Sequence, residues 1–103
     1  MEASHNPEVT DLTPRLVNRI HRDFPAGSAE EAARRLTDLP ADVFDLQDHE
    51  RVMAAIVLAS AGHWQRFAYF IRLVAEDWRD VLVDGHLAGE DWRDRLNAEL
   101  PDP

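Results

Sequence analysis

The chain has 103 residues, 45% hydrophobic and 30% charged, with eleven arginines, no lysine, no cysteine and twenty acidic residues that leave a net charge of −9. Its length suits one domain with a modest core, and its composition removes disulfide frameworks, cysteine zinc sites, thiol nucleophiles and lysine Schiff bases. So acidic a chain repels phosphate backbones, and with no basic stripe to offset this, nucleic acid is not an expected partner.

Residues 1–6 carry neither a basic start nor an apolar h-region, and the longest apolar run, 52–59, falls far short of the ~20 residues of a membrane helix. A cytoplasmic protein with no membrane partner is expected. Residues 1–12 read as a flexible N-terminal tail, 13–100 as one helical domain and 101–103 as a C-terminal tail.

The first helix is expected to start at Thr13-Pro14, a threonine cap followed by a proline whose missing N–H is harmless in the first turn. Leu16, Val17, Ile20 and Phe24 then form one helical stripe with His21 half-buried on its shoulder, and Pro25 and Gly27 end it. Ser28 and Glu31 have capping-box spacing at the start of a second helix, which stops near Leu39-Pro40. Val43, Phe44 and Leu46 form a short apolar cluster, read as a turn or single helical turn that plugs the core.

Asp48 is the expected cap of a third helix, in which every residue from 52 to 59 is apolar, so that helix is central or meets an oligomer partner. Ala55 and Ala59 give it a small-residue strip, and Gly62 terminates it. Trp64, Phe67, Ile71, Val74, Trp78 and Val81 follow at alternating spacings of three and four, as in one long bundle helix ending at Gly85.

An internal repeat competes with that continuity. Glu76-Asp77-Trp78-Arg79-Asp80-Val81-Leu82 and Glu90-Asp91-Trp92-Arg93-Asp94-Arg95-Leu96 match at six of seven positions. In the second copy Asp91 reads as an N-cap and Asp94 as the N3 acid of a capping box, so Asp77 is expected to restart the helix before Trp78. With no strand alternation longer than four residues, the fold expected is all-α: a compact bundle of five or six short helices in a single domain.

Little in this pattern points to chemistry. The Asp-Trp-Arg-Asp copies read first as helix starts whose tryptophans pack inward, but Trp78, Arg79, Trp92 and Arg93 are also the residue types richest in interface hot spots. His5, His21, His49, His63 and His86 have no ligand-like spacing, and Asp42, Asp45 and Asp48 recur without a phosphate loop, so no metal and no cofactor is expected. Ser4, Ser28 and Ser60 lack a nucleophile elbow, so no catalytic residue is assigned. Asp11 with Arg15, Glu30 with Arg34, Glu31 with Arg35 and Asp91 with Arg95 have favourable i, i+4 order. Arg66 and Arg72 lack such acids and sit near Tyr69, so these three either line a small anionic pocket or pack by cation–π contact.

The stretches Arg51-Val52-Met53-Ala54-Ala55-Ile56-Val57-Leu58, Asp77-Trp78-Arg79-Asp80-Val81-Leu82-Val83 and Glu90-Asp91-Trp92 resemble small acidic all-helical proteins of high-GC bacteria. That resemblance covers about the last half of the chain and implies no activity, cofactor or binding residue. The absence of lysine beside abundant arginine and alanine fits GC-rich coding.

Three functions remain in view. The first is a non-enzymatic helical interaction module, homodimeric or binding another protein, through residues 52–59 or the tryptophan-bearing helices. The second is an acidic, immunity-like or nucleic-acid-mimicking antagonist of a basic partner. The third is a small-ligand or enzymatic site at Arg66, Tyr69 and Arg72. Net charge by region is −1 over 1–28, −3 over 29–47, +1 over 48–75 and −6 over 76–103, which puts any charge-driven binding on the C-terminal helices.

Overall fold

Residues 52–57 are all buried, as an apolar run without a polar face requires, and the helix that carries them is the centre of the fold. The computed structural model describes residues 12–44 and 47–101. Among these residues there are six α-helices and no strand: α1 (Pro14–Asp23), α2 (Ala26–Thr37), α3 (His49–Ser60), α4 (Trp64–Glu76), α5 (Trp78–Asp84) and α6 (Trp92–Glu99), with a 3-10 turn (Ala41–Phe44) before α3. Helix α3 packs against α4, α5, α1 and α6, and α2 closes over α1 and α4. The neighbours of the apolar run are therefore the chain's own helices, and only Leu58 within it stays half-buried.

Side-chain caps set three of the six described helix starts. The Thr13 side chain accepts from the Leu16 amide, Asp48 from the Arg51 amide at 3.0 Å and Asp77 from the Arg79 amide at 3.1 Å. At Asp77 the backbone is extended (φ −156°, ψ 92°), so the long helix does break there and α5 starts anew. The helical spacing persists across the break: Phe67, Val74 and Val81 are buried, while Trp64, Ile71 and Trp78 are half-buried.

Four expectations are corrected. The Ser28 capping box does not form, because Pro25 presets the entry and α2 starts at Ala26, leaving Ser28 inside the first turn. Glu31 instead pairs with Arg34 and Arg35, and no Glu30–Arg34 pair forms. Gly27 belongs to α2 rather than ending α1, whose exit is the extended, buried Phe24. His21 is exposed rather than half-buried. The expected tail over 1–12 lies outside the described residues except for Leu12, which packs on the core; Asp11, Asp45, Leu46 and the end of the expected C-terminal tail, Asp102 and Pro103, also lie outside them. Phe44 is fully buried, as a plug must be.

Two turns bring backbone against backbone. Gly62 follows the left-handed Ala61 with φ 78°, and a Cβ there would stand 2.7 Å from the Asp23 carbonyl oxygen, so the α3–α4 turn rests on the end of α1. Gly85 lies against α3, where a Cβ would fall 2.6 Å from both Cα and O of Ala55. At Ala55 the small-residue strip thus takes a turn against it.

A half-buried ion pair ties α1 to α3. The Arg15 guanidinium donates to both Glu50 oxygens at 2.8 and 2.7 Å, Thr13 Oγ1 donates to Glu50 at 2.5 Å, and Arg15 Nη1 reaches Asn97 Oδ1 at 2.7 Å on α6. Hydrogen bonds from Arg15, then from Thr13, hold the Glu50 carboxyl below the usual carboxylate range against the opposing effect of burial.

Gly85→Ala is expected to cost about 2–3 kcal/mol by overpacking, whereas Gly27→Ala, with nothing within 4 Å of its Cβ, is expected to stabilise by about 0.5–1 kcal/mol; urea denaturation of both variants checks this. Because the folded Glu50 pKa lies below its unfolded value, its contribution is complete above about pH 4.3 and is lost as the pH falls through the lower folded value. Glu50→Gln is therefore expected to cost about 1–2 kcal/mol at neutral pH and to converge on the parent stability as the pH falls through the titration of the folded carboxyl, measured by denaturation across pH.

Candidate interaction face

The repeat places its two tryptophans through two different helix starts. In the first copy the Asp77 cap turns the chain into α5, leaving Trp78 half-buried and Arg79 exposed, with the Arg79 guanidinium 5.2 Å from the Trp78 ring centroid. In the second, Trp92 is the first residue of α6, as expected, but Asp91 makes no side-chain cap and its carboxylate accepts from Arg95 Nε at 3.0 Å. The capping box read at Asp91 and Asp94 is therefore absent: at φ −88° and ψ 18° Asp91 is not extended, as a capping side chain requires.

Both copies converge on a residue the sequence did not single out, Arg51. Its Nε donates to the Leu87 carbonyl at 2.8 Å and its Nη1 to Gln47 Oε1 at 3.0 Å, while the guanidinium lies 4.8 Å from the Trp92 centroid. Arg93 lies over the same ring at 4.9 Å. Burial lowers the Arg51 pKa, opposed by the nearby Asp48 charge. The one available signal was an arginine entering an otherwise apolar helix with no acid four residues away.

Arg51, Trp78 and Arg79 also line a cleft of about 340 Å³ whose other walls are Leu82, Val83 and Ala88. Val83 is 59% exposed, one of two large hydrophobic side chains so open among the described residues. Beyond Arg51 a smaller cleft of about 130 Å³ is lined by Trp92, Arg93 and Glu50. Arg15, Arg19, Arg34, Arg35 and Arg95 each have a carboxylate partner. Among the described residues Arg51, Arg79 and Arg93 have none, and tryptophan faces take that place at about 0.5–2 kcal/mol per contact. Arg22, Arg66 and Arg72 also have no carboxylate partner among the described residues, so what distinguishes this face is that its unpaired arginines lie over tryptophan rings.

The second candidate set is brought to one face but not enclosed. Arg66, Tyr69 and Arg72 follow one another at helical spacing along the exposed side of α4, and none lines the clefts described. Arg66 Nη2 donates to the Ala59 carbonyl at 2.9 Å, finishing α3, and Tyr69 sits edge-on to Phe70.

No group of three histidine or acidic side chains is placed to hold a metal among the described residues. Asp42 and Asp48 are exposed, and Asp45 and His5 lie outside the described residues. His49 stacks on Phe44 at 4.2 Å, and the buried Ser60 hydroxyl donates to the Ile56 carbonyl at 2.6 Å. Ser28 is half-buried within α2, and Ser4 lies outside the described residues. No described helix is long and apolar enough to cross a membrane.

Arg51→Ala is expected to destabilise by about 2–3 kcal/mol, since it orphans the Leu87 carbonyl and uncovers the Trp92 ring. Arg51→Lys keeps the charge without the planar fork and should recover less than half of that loss, followed by tryptophan fluorescence during urea unfolding. Compared with known protein families, curated proteins and solved structures, the chain matches none.

Proposed function

We propose that the protein is a non-enzymatic helical interaction module that engages a protein partner through Trp78, Arg79, Trp92, Arg93 and Arg51. The observation that carries this reading is the gathering of three arginines without carboxylate partners among the described residues over two repeated tryptophans, beside an apolar cleft that leaves Val83 open. Aromatic and arginine side chains around an apolar depression are the composition of binding hot spots. The complementary partner segment carries one apolar side chain for the cleft, flanked by carboxylates for Arg51 and Arg79.

A second copy of the chain meets that description, because α5 and the segment after it expose Asp80, Asp84, Glu90 and Asp94 close in sequence to Val83. Self-association through α5 is therefore the arm tested first. The acidic-antagonist reading draws on the −6 net charge of residues 76–103 and would use the opposite charges of the same region. Its association would be steered by, and weaken with salt through, those acids rather than the arginines.

Sedimentation across a concentration series separates these readings. Self-association is expected, and Val83→Asp should shift the midpoint at least about tenfold towards monomer without lowering thermal stability, since its side chain is exposed. Arg79→Glu should shift it likewise, with a stability loss limited to the about 0.5–2 kcal/mol of its Trp78 contact. A strict monomer removes the homodimer and leaves a different chain as partner. Binding that Asp80→Asn with Asp84→Asn abolishes, and Arg79→Glu strengthens, would favour the basic-partner reading.

A further inference from the structure

A second cleft, separate from the tryptophan face, opens where four elements meet: Arg19 of α1, Leu58 of α3, Gly85, His86 and Leu87 of the α5–α6 connection, and Arg95, Ala98 and Glu99 of α6. Its volume of about 290 Å³ stands at the lower end of the ~300–1,000 Å³ common for small-molecule sites. The cleft explains why Leu58 alone in the central run is not fully buried.

Its walls divide by chemistry. Leu58, Leu87 and Ala98 are apolar, and Arg19, Arg95 and His86 supply hydrogen-bond donors not consumed by the fold. Arg19 spends Nε on Asp23 at 3.0 Å and Nη1 on the carbonyl and carboxylate of Glu99 at 2.8 and 3.3 Å, which leaves Nη2 uncommitted. Arg95 spends only Nε, on Asp91, and the His86 imidazole makes no hydrogen bond among the described residues. The Arg19 side chain is only 17% exposed, so leftover guanidinium donors there carry a desolvation cost that an anion would remove. His86 is held at φ 63° directly after Gly85, whose backbone is jammed against Ala55. The turn that presents the imidazole is thus fixed by the core.

We propose that this cleft binds a small organic monocarboxylate. Its carboxylate would accept from Arg19 Nη2, the free Arg95 nitrogens and His86, while a short apolar chain lies along Leu58, Leu87 and Ala98. Arg19 is already paired with Asp23 and Glu99, and Arg95 with Asp91, so the free donors offer hydrogen bonds with little net positive charge, which suits at most a single carboxylate; the apolar wall gives a bare inorganic anion nothing to cover. Only Leu87, whose carbonyl accepts from Arg51, is shared with the tryptophan face; Arg19, His86 and Arg95 are not, so variants at those positions test the two readings separately.

Titration of the full chain with hexanoate, 1-hexanol and inorganic phosphate in turn, followed by ¹H–¹⁵N NMR, tests the assignment. Hexanoate is expected to shift the amides of Gly85, His86 and Leu87 and the Arg95 Nε–H saturably, with hexanol and phosphate at least about tenfold weaker. Arg95→Gln and His86→Asn, the latter compatible with a left-handed backbone, should each weaken hexanoate about tenfold while thermal unfolding stays unchanged. The proposal is overturned by absence of saturable shifts with hexanoate, by an equal response to hexanol or phosphate, or by unaltered affinity in both variants.

Discussion

A helix with no polar face has to be covered on every side, and the burial of residues 52–57 is the constraint on which the rest of this fold depends. Each fully buried aliphatic side chain there contributes about 1.5–3 kcal/mol relative to exposure, so the other helices are arranged to supply neighbours. Alanines 54, 55 and 59 keep the central helix thin enough for four others to approach it. The contact of Gly85 with Ala55 is the tightest consequence, because a turn reaches the axis of α3 more closely than a side-chain-bearing helix does.

Placing the apolar helix at the centre sends its few polar residues to the ends, where they become ties. Glu50 and Arg51 occupy the first turn of α3 and point the chain's long-range polar contacts in two directions: Glu50 to Arg15 of α1, Arg51 to the Leu87 carbonyl and the Trp92 ring. The two heptapeptides, alike at six of seven positions, therefore have two outcomes. At Asp77 the acid caps a helix, and at Asp91 it turns to Arg95 while Arg51 holds the tryptophan. The copies differ at one position, Val81 against Arg95, and it is Arg95 that takes the Asp91 carboxylate, while Arg51 from elsewhere in the chain lies over the tryptophan.

That contrast shows how much could be read in advance. The starts at Thr13, Asp48 and Asp77, the central position of the apolar run and the plug at Phe44 were legible because capping and hydrophobic periodicity act over four residues or fewer. Ser28 misled because its side chain fits a cap just as Pro25, three residues earlier, had already opened the helix. Trp78 and Trp92 were legible as candidates, but Arg51 was not, since its contacts with Leu87 and Trp92 lie 36 residues and more along the chain and no spacing rule connects them. The cleft at Arg19, His86 and Arg95 is assembled from four elements, so no window of sequence contains it. Arg66, Tyr69 and Arg72 do share one exposed side of α4, where Arg66 reaches the Ala59 carbonyl and Tyr69 the Phe70 ring.

Arg15 also carries a topological consequence. Its Nη1 donates to the Leu100 carbonyl at 3.3 Å, which brings the first turn of α1 beside the residue that closes α6. Entry to and exit from the described fold therefore share one corner. Such a unit is suited to circular permutation, with those ends joined and the chain reopened at the exposed Gly89, and to insertion as a single piece within a loop of another protein. Neither rearrangement would move α3 or the helices that cover it.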